Sequence, residues 1–358
     1  MANGDTTPSR VGQINSSGAV DALFLKKFAG EILTTFEENN VFKPLHTIRT
    51  IENGKSAQFP VTGIATANYY TPGQNIAEDG GASSSTYLSD IKKNEKVITI
   101  DDVLLSSTFL ASIDDVKNHY DIRSVYASEL GKALAKRFDE AVAKVFIAAA
   151  REATANVTGG KVGGILDVSA NAMGDPADSA DDSSNVDPTG AQLVAALFTA
   201  AQKLDENDVP SDGRFCVLRP QEYYKLITGG SGSLVISTSA SNKDVGGSGS
   251  LASGSIAQVA GISIYKSTHL PATDLSSTST GDGAASNDVF GSNGVGYNGN
   301  FTNSLGIVAH PSAVGTVKLL DLATESEYQM ERQGTLFIAK YAMGHGILRP
   351  ECAIELQK

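Results

Sequence analysis

Residues Ser112 to Arg151 read SIDDVKNHYDIRSVYASELGKALAKRFDEAVAKVFIAAAR. Ile113, Val116, Tyr120, Ala127, Leu130, Leu134, Phe138, Ala141, Val145 and Ala149 recur there at steps of three, four or seven, which places one apolar stripe along a helix. Ser112 with Asp115 makes a capping box at its start, and Glu140 precedes Lys144 in the favourable i,i+4 order. About 40 residues at ~1.5 Å each give a rod of about 60 Å. A round molecule of this chain length would be roughly 50 to 55 Å across. The rod therefore predicts a flattened subunit, with Val116, Tyr120, Leu130, Leu134, Phe138 and Val145 packing the helix onto strands further along the chain.

Upstream, KSAQFPVTGIATANYY (55–70) alternates at Phe59, Val61, Ala65, Ala67 and Tyr69, and NEKVITIDDV from Asn94 reads as a second strand. TPGQNIAEDGGASSS (71–85) between them is rich in turn residues. Arms of roughly 10 to 16 residues would reach about 30 to 50 Å, and an isolated hairpin is marginal in water, so this one has to lie against another surface. Before it, the first 18 residues are polar and predict an arm, followed by a short helix with Val20, Phe24, Phe28, Ile32 and Phe36 on one stripe. Downstream, a helix at Ala191 to Leu204, the strand RFCVLRP from Arg214, a Pro-opened helix at Gln221 to Ile227 and the strand AGISIYKS from Ala260 read as an α/β segment. The remainder is strand-rich: SLGIVAH, GTVKLLDL, EYQME, TLFIAKYAMGHG and ILRPECAIEL. The fold class is α+β.

The 358 residues carry 28 basic and 40 acidic side chains, a net charge of −12. Residues 1–161 hold 17 basic against 19 acidic, 162–311 hold 6 against 15, and 312–358 hold 5 against 6. The excess thus sits in one segment, which also contains the Gly/Ser stretches 229–255 and 276–300. An acidic chain argues against phosphate-backbone binding, which relies on Lys and Arg displacing counterions. The 41% hydrophobic content argues against a disordered acidic tail. No apolar run approaches the ~18 residues of a membrane span, and the first residues lack the apolar core of a signal peptide. Two distant cysteines, Cys216 and Cys352, predict no disulfide framework and a reducing compartment.

Catalytic and ligand-binding patterns fail on their context. Gly54-Lys55-Ser56 resembles the end of a phosphate-binding loop, but Arg49 stands where that loop needs glycine and a strand follows where a helix should open. Gly294, Gly296 and Gly299 match G-x-G-x-x-G without a preceding strand or a following helix. The five histidines are scattered; Asp115 and His119 share a helix face but read as an exposed pair. Asp175, Asp178, Asp181, Asp182 and Asp187 lack EF-hand spacing and read as a solvated acidic loop. No G-x-S-x-G elbow occurs. The charges of the long helix, Lys132, Lys136, Arg137, Lys144 and Arg151 among Glu129, Asp139, Glu140 and Glu152, read as a mixed solvated or subunit-facing surface. The expectation is a non-enzyme with no cofactor and no metal.

Several segments carry a family resemblance: GKSAQFPV from Gly54, KVITIDD from Lys96, NHYDIRSVYASELG from Asn118, HPSAVGTVKLLDLA from His310 and IAKYAMGHGILRPE from Ile338. In wording and order they resemble the major capsid proteins of T7-like short-tailed bacteriophages. Residues 167–300 depart more, and there only FCVLRPQEYYKLI and VAGISIYKSTHLP keep the family phrasing. The resemblance implies the tailed-phage and herpesvirus capsid fold of HK97 type. It divides the chain into an N-terminal arm with a short helix (1–50), an extended E-loop (51–104), a P-domain spine helix (105–160), an A-domain (161–310) and closing P-domain strands (311–358).

That resemblance implies a shell protein assembling into pentamers and hexamers as the icosahedral head around double-stranded DNA, without sequence-specific contact to it. It also implies a scaffolding protein during assembly, a portal protein at one vertex, assembly in the host cytoplasm, residence in the virion and no membrane partner. A flat subunit with outreaching arms touches several neighbours at once, and many weak contacts sum to a stable shell. Phe59, Val61, Tyr69, Tyr70 and Tyr87 are the expected intersubunit contacts. A surface-layer, fibre or adhesin protein is the alternative, favoured by Gly/Ser/Thr richness; an α/β enzyme using the Gly-rich loops is the third reading.

Overall fold

In a computed structural model of the chain, residues 40–63, 65, 67–70, 72, 73, 76, 91–101, 103–113, 122–156, 160–168, 187–228, 258–275, 297 and 299–358 are described. In chain order they form β1 (Thr47–Thr50), β2 (Ser56–Thr62), β3 (Lys93–Thr99), β4 (Leu104–Ala111), α1 (Ile122–Arg151), β5 (Gly164–Asp167), α2 (Gly190–Glu206), β6 (Phe215–Leu218), α3 (Pro220–Thr228), β7 (Gln258–Val259), β8 (Ile262–Lys266), β9 (Ser304–Ala309), β10 (Val314–Gln329), β11 (Gly334–Ile347) and β12 (Ala353–Gln357). The strands form a four-stranded sheet in the order β1-β10-β11-β4, a six-stranded sheet in the order β5-β12-β9-β6-β8-β7, and the two-stranded ribbon β2-β3. The arm and the first amphipathic helix, most of the tip of the ribbon, the run Asp175 to Asp182 and most of both Gly/Ser stretches lie outside the described residues.

The chain divides into two compact units. The described part of the first comes chiefly from Val103–Phe138 and Leu320–Ala342. There β4 runs antiparallel to β11, from Ala111 opposite Gly334 to Leu104 opposite Tyr341. Alternation sends Leu104, Ser106, Thr108 and Leu110 to one face with Phe337, Ala339 and Tyr341. Phe138 of α1 meets Tyr341 on that face edge to face, ring centroids 6.4 Å apart. The opposite face carries Leu105, Ser107 and Phe109, all exposed, opposite Lys340, Ile338 and Leu336.

The second unit, Val41–Asp102 with Asp139–Leu319 and Met343–Lys358, holds the six-stranded sheet. Its strands β6 (FCVL) and β9 (SLGIVA) are buried throughout, as continuous apolar strands with neighbours on both sides should be. Helix α2 opens on a capping box: Gln192 Oε1 accepts from the Thr189 backbone N–H at 2.7 Å while Thr189 accepts from the Gln192 backbone N–H. It buries Leu193, Leu197, Ala200 and Leu204. Phe146 of α1 lies edge-on to Phe215 of β6 at 5.5 Å and 6.1 Å from Phe42.

Helix α1 differs from the single-stripe expectation. It spans 30 residues, and from Ala141 to Ile147 every side chain is buried. Asp139 is fully buried and Lys144 nearly so, which corrects their reading as part of a mixed solvated surface. A buried carboxylate has to find donors, and Asp139 finds three. It accepts from the backbone N–H of Val41 at 2.8 Å and of Phe42 at 3.2 Å, and from His269 Nδ1 at 2.8 Å. Val116 and Tyr120, with Asp115 and His119, lie outside the described residues.

Arg151 ends α1 with a second buried partner. Its Nε and Nη2 donate to the two oxygens of Glu355 on β12 at 2.6 and 2.7 Å, a bidentate fork, while Nη1 donates to the Asn300 carbonyl and the guanidinium lies 5.5 Å from the Phe301 ring centroid. The Glu355 side chain has no solvent exposure. Removing one member strands a buried charge, so Arg151→Ala is expected to cost about 3 kcal/mol or more in urea unfolding. The paired change Arg151→Met with Glu355→Leu should recover most of that loss.

Candidate assembly surface

The ribbon β2-β3 pairs in antiparallel register over seven residues, from Ser56 opposite Thr99 to Thr62 opposite Lys93. At ~3.3 Å per residue this paired part is about 23 Å long, shorter than the 30 to 50 Å expected of the whole hairpin. One face carries Ala57, Phe59 and Val61 opposite Ile98, Lys96 and Asn94. The guanidinium of Arg49 lies 5.5 Å from the Phe59 ring centroid and donates to the Gln58 carbonyl at 3.0 Å.

The foot of the ribbon is held by close approach of backbones. Ala57, Ile98 and Ile100 are buried, the Ile100 N–H donates to the Lys55 carbonyl, and the Asp101 N–H to the Met343 carbonyl. A Cβ on Gly344 would stand 2.0 Å from the Thr99 carbonyl oxygen and 2.8 Å from Ile100 Cα. A Cβ on Gly346 would stand 2.7 Å from Ile98 Cγ1, and one on Gly315 3.3 Å from Ile98 Cδ1. Three glycines in AVGT and MGHG thus make the socket for Ile98 and the strand behind it.

Polar groups close the same socket. The Tyr297 hydroxyl lies 2.9 Å from Asp101 Oδ2, to which it donates, and accepts from the His345 N–H at 3.0 Å. His345 Nδ1 is 2.8 Å from Thr316 Oγ1. Burial, reinforced by the charge His46 would carry, pushes the His345 imidazole down to about 3. Burial likewise lowers His46.

Away from the foot the described ribbon residues are only partly covered: Asn94, opposite Val61, donates to the Asn156 carbonyl at 2.6 Å. Phe59 and Val61 are half-buried, Val97 is 49% exposed, Tyr70 is 50% exposed and Tyr69 fully so. Tyr87 lies outside the described residues. Of the spine residues that are described, Leu130, Leu134, Phe138 and Val145 are all buried. Asp139, Arg151, His269 and Glu355 were not among the expected site residues. The signal was there in Glu355, a single charge inside the apolar run CAIEL, and in Asp139, at the point where α1 turns apolar all round.

Burial raises both the Cys216 and the Cys352 thiols. An open groove of about 540 Å³ is lined by residues including Arg151, Lys161, Val162, Ile165, Lys203 and Glu206, with no hydroxyl, thiol or imidazole among its side chains. Among the described residues no group of three or more His, Cys, Asp or Glu could hold a metal ion, and no helix is long and apolar enough to cross a membrane.

A family model described as Gp10A-like major capsid protein matches residues 58–357. The major capsid protein of Escherichia phage T7 is 35% identical over 339 residues, covering 93% of this chain and 90% of that protein. Among solved structures, the capsid of Cyanophage P-SCSP1u is 40% identical with a TM-score of 0.69, covering 99% of this chain and 98% of its own. The mature capsid of bacteriophage PhiM1 shares the fold at 18% identity, with a TM-score of 0.64 over 89% of this chain and 86% of its own.

Two outcomes follow from the socket. Gly344→Ala forces a methyl group into backbone and is expected to lower the melting temperature by several degrees, at a cost of about 1 to 3 kcal/mol. Gly164→Ala, whose Cβ would meet only Ile354 Cγ1 at 3.6 Å and Lys203 Cδ at 3.8 Å, should be near neutral. The folded chain keeps His345 neutral to about pH 3 whereas the unfolded chain takes up that proton near 6.5. Unfolding therefore gains a proton as pH falls through 6.5, and stability should be full above that value. Below it, urea unfolding should show a loss of up to about 1.4 kcal/mol per pH unit from this residue, so that the slope is smaller in His345→Asn, where buried His46 still contributes with the same sign.

Proposed function

The chain belongs to the Gp10A-like family of major capsid proteins, and we propose accordingly that its copies close head to tail into pentamers and hexamers that tile an icosahedral head around double-stranded DNA. It is a bacteriophage major capsid protein, a structural component of the virion that works as a homo-oligomer, with the HK97-type α+β fold. The surface-layer and fibre readings give way to that membership.

The observation that carries the assembly reading is the ribbon: a two-stranded element rooted at its foot, with Val97, Tyr69 and Tyr70 exposed beyond it. Two strands alone are marginal in water, and contiguous exposed apolar groups mark a contact surface. Phe59, Val61, Tyr69, Tyr70 and Tyr87 meet neighbouring copies, and the ribbon gains from them the cover that its own chain leaves off. The segments 1–50, 51–104, 105–160, 161–310 and 311–358 act as arm, E-loop, spine, A-domain and closing strands. A scaffolding protein guides assembly in the host cytoplasm, a portal protein occupies one vertex, and the packaged DNA is enclosed without sequence readout. The role is mechanical rather than enzymatic. A net charge of −12 suits a container that must not adsorb the phosphate backbone.

Electron microscopy of the purified chain, alone and with a scaffolding protein, should show rings and closed shells; a monomer under every condition overturns the reading. Tyr69→Ser with Tyr70→Ser should cut shell yield severalfold while leaving the melting temperature of the free subunit unchanged.

A further inference from the structure

The turn that joins β1 to the ribbon reads Ile51-Glu52-Asn53-Gly54-Lys55, and its residues from Glu52 to Lys55 are all exposed. Gly54 has φ +119°, a conformation that side chains rarely adopt, so the turn itself demands glycine there. A Cβ built on Gly54 would meet only the Ser56 carbonyl oxygen, at 3.9 Å. The Gly54 nitrogen is thus uncrowded, with the Asn53 carboxamide one residue before it. Asn-Gly occurs also at Asn3-Gly4, Asn293-Gly294 and Asn298-Gly299, but only Asn53-Gly54 has both members among the described residues. Gly299 is packed by contrast: a Cβ on it would stand 3.2 Å from Phe301 Cζ, and its carbonyl accepts from the Leu275 N–H at 2.9 Å.

Two anchors pin the ends of the turn. The Ile51 N–H donates to the Lys318 carbonyl at 2.9 Å, and the Lys55 carbonyl accepts from the Ile100 N–H at 2.8 Å. Across the turn Arg49 Nη1 reaches from β1 to the Gln58 carbonyl of β2 at 3.0 Å. Only Glu52, Asn53 and Gly54 lie between the anchors. A change in main-chain length there falls on the anchors or on the angle at which β2 leaves β1.

We infer that Asn53 is a self-modification site, at which the native chain converts asparagine to aspartate and isoaspartate, and that the isoaspartate loosens the joint between β1 and the ribbon. The Gly54 nitrogen, having lost its proton to hydroxide, attacks Asn53 Cγ. The new N–C bond closes a succinimide ring as the bond from Cγ to the side-chain nitrogen breaks; that nitrogen takes a proton from water, leaves as ammonia and returns the hydroxide. Water then opens the ring at either carbonyl. Opening at Cγ restores the ordinary main chain with an aspartate, whereas opening at the Asn53 main-chain carbonyl leaves the chain running through Cγ, as isoaspartate. The sum is amide plus water to carboxylate plus ammonium, with nothing oxidised or reduced. Each product is ionised at neutral pH and adds a negative charge to the −12 of the chain. Isoaspartate also adds a main-chain carbon, about 1.5 Å of contour between the anchors. The site is independent of the assembly reading, and a particle that makes no new protein accumulates the product with age.

The test ages the purified full-length chain in mildly alkaline buffer and follows the tryptic peptide Thr50–Lys55, whose sole amide side chain is Asn53. Its mass should rise by the difference between an amide and a carboxyl group, and isoaspartyl methyltransferase with labelled S-adenosylmethionine should mark it. Both signals should grow faster as hydroxide concentration rises and be absent in Asn53→Ser, whose melting should match the parent. Deuterium exchange at the Ile100 N–H, the donor to Lys55, should quicken severalfold in the aged parent and stay unchanged in Asn53→Ser aged alongside it. Fresh Asn53→Asp carries the charge without the added carbon and should exchange like the fresh parent. A native chain whose Thr50–Lys55 peptide keeps its mass while the urea-unfolded chain converts overturns the inference, because the fold then protects the site. Conversion that leaves exchange at Ile100 unchanged overturns it as well.

Discussion

Everything beyond the foot of the ribbon depends on one backbone approach. Gly344 lies so near the Thr99 carbonyl and Ile100 Cα that no side chain fits between the strands. That contact costs conformational entropy at each glycine, yet it seats Ile98 and Ile100 in the core while Val97, Tyr69 and Tyr70 stay exposed. A wider socket would let the strand pivot, and small errors at the foot grow with distance along a stiff ribbon. The neighbouring hydrogen bonds, Asp101 to Met343 and Tyr297 between Asp101 and His345, close the same joint.

Two buried carboxylates play the corresponding part elsewhere in the second unit. Asp139 gathers Val41, Phe42 and His269 onto α1, and Glu355 takes the Arg151 fork onto β12. An apolar core would hold these segments by area alone and tolerate sliding; a carboxylate with directed donors tolerates little. The helix end is thereby fixed in position as well as in depth.

Much of this was legible in the sequence. The 3.6-residue period of α1, the alternation of β2 and β3 and the capsid phrasing around them identified the elements and the family. Two charges within α1, Asp139 and Lys144, were misread, because a period-based reading assigns them to solvent whenever some face is free. Here the helix is enclosed from Ala141 to Ile147, and burial follows from what surrounds an element, not from its own pattern. Strand β4, LLSSTFLA, was missed since its exposed positions are Leu105, Ser107 and Phe109, leaving no polar-apolar alternation to read. GTVKLLDL and EYQME were read as two strands, yet β10 is one strand of 16 residues, its exposed half simply becoming polar. The foot glycines could be seen but not interpreted, since a glycine's reason is its neighbour in space.

The order of the six-stranded sheet has a consequence for timing. β12, residues 353–357, lies between β5 at 164–167 and β9 at 304–309, so the interior of that sheet has a gap until a strand from nearly two hundred residues after β5 arrives. β1 likewise waits for β10, with Thr47 opposite Gly315. Pairings so distant along the chain close slowly and only once translation has delivered both partners. A chain still on the ribosome, with residues 353–357 unmade, lacks a finished subunit to offer.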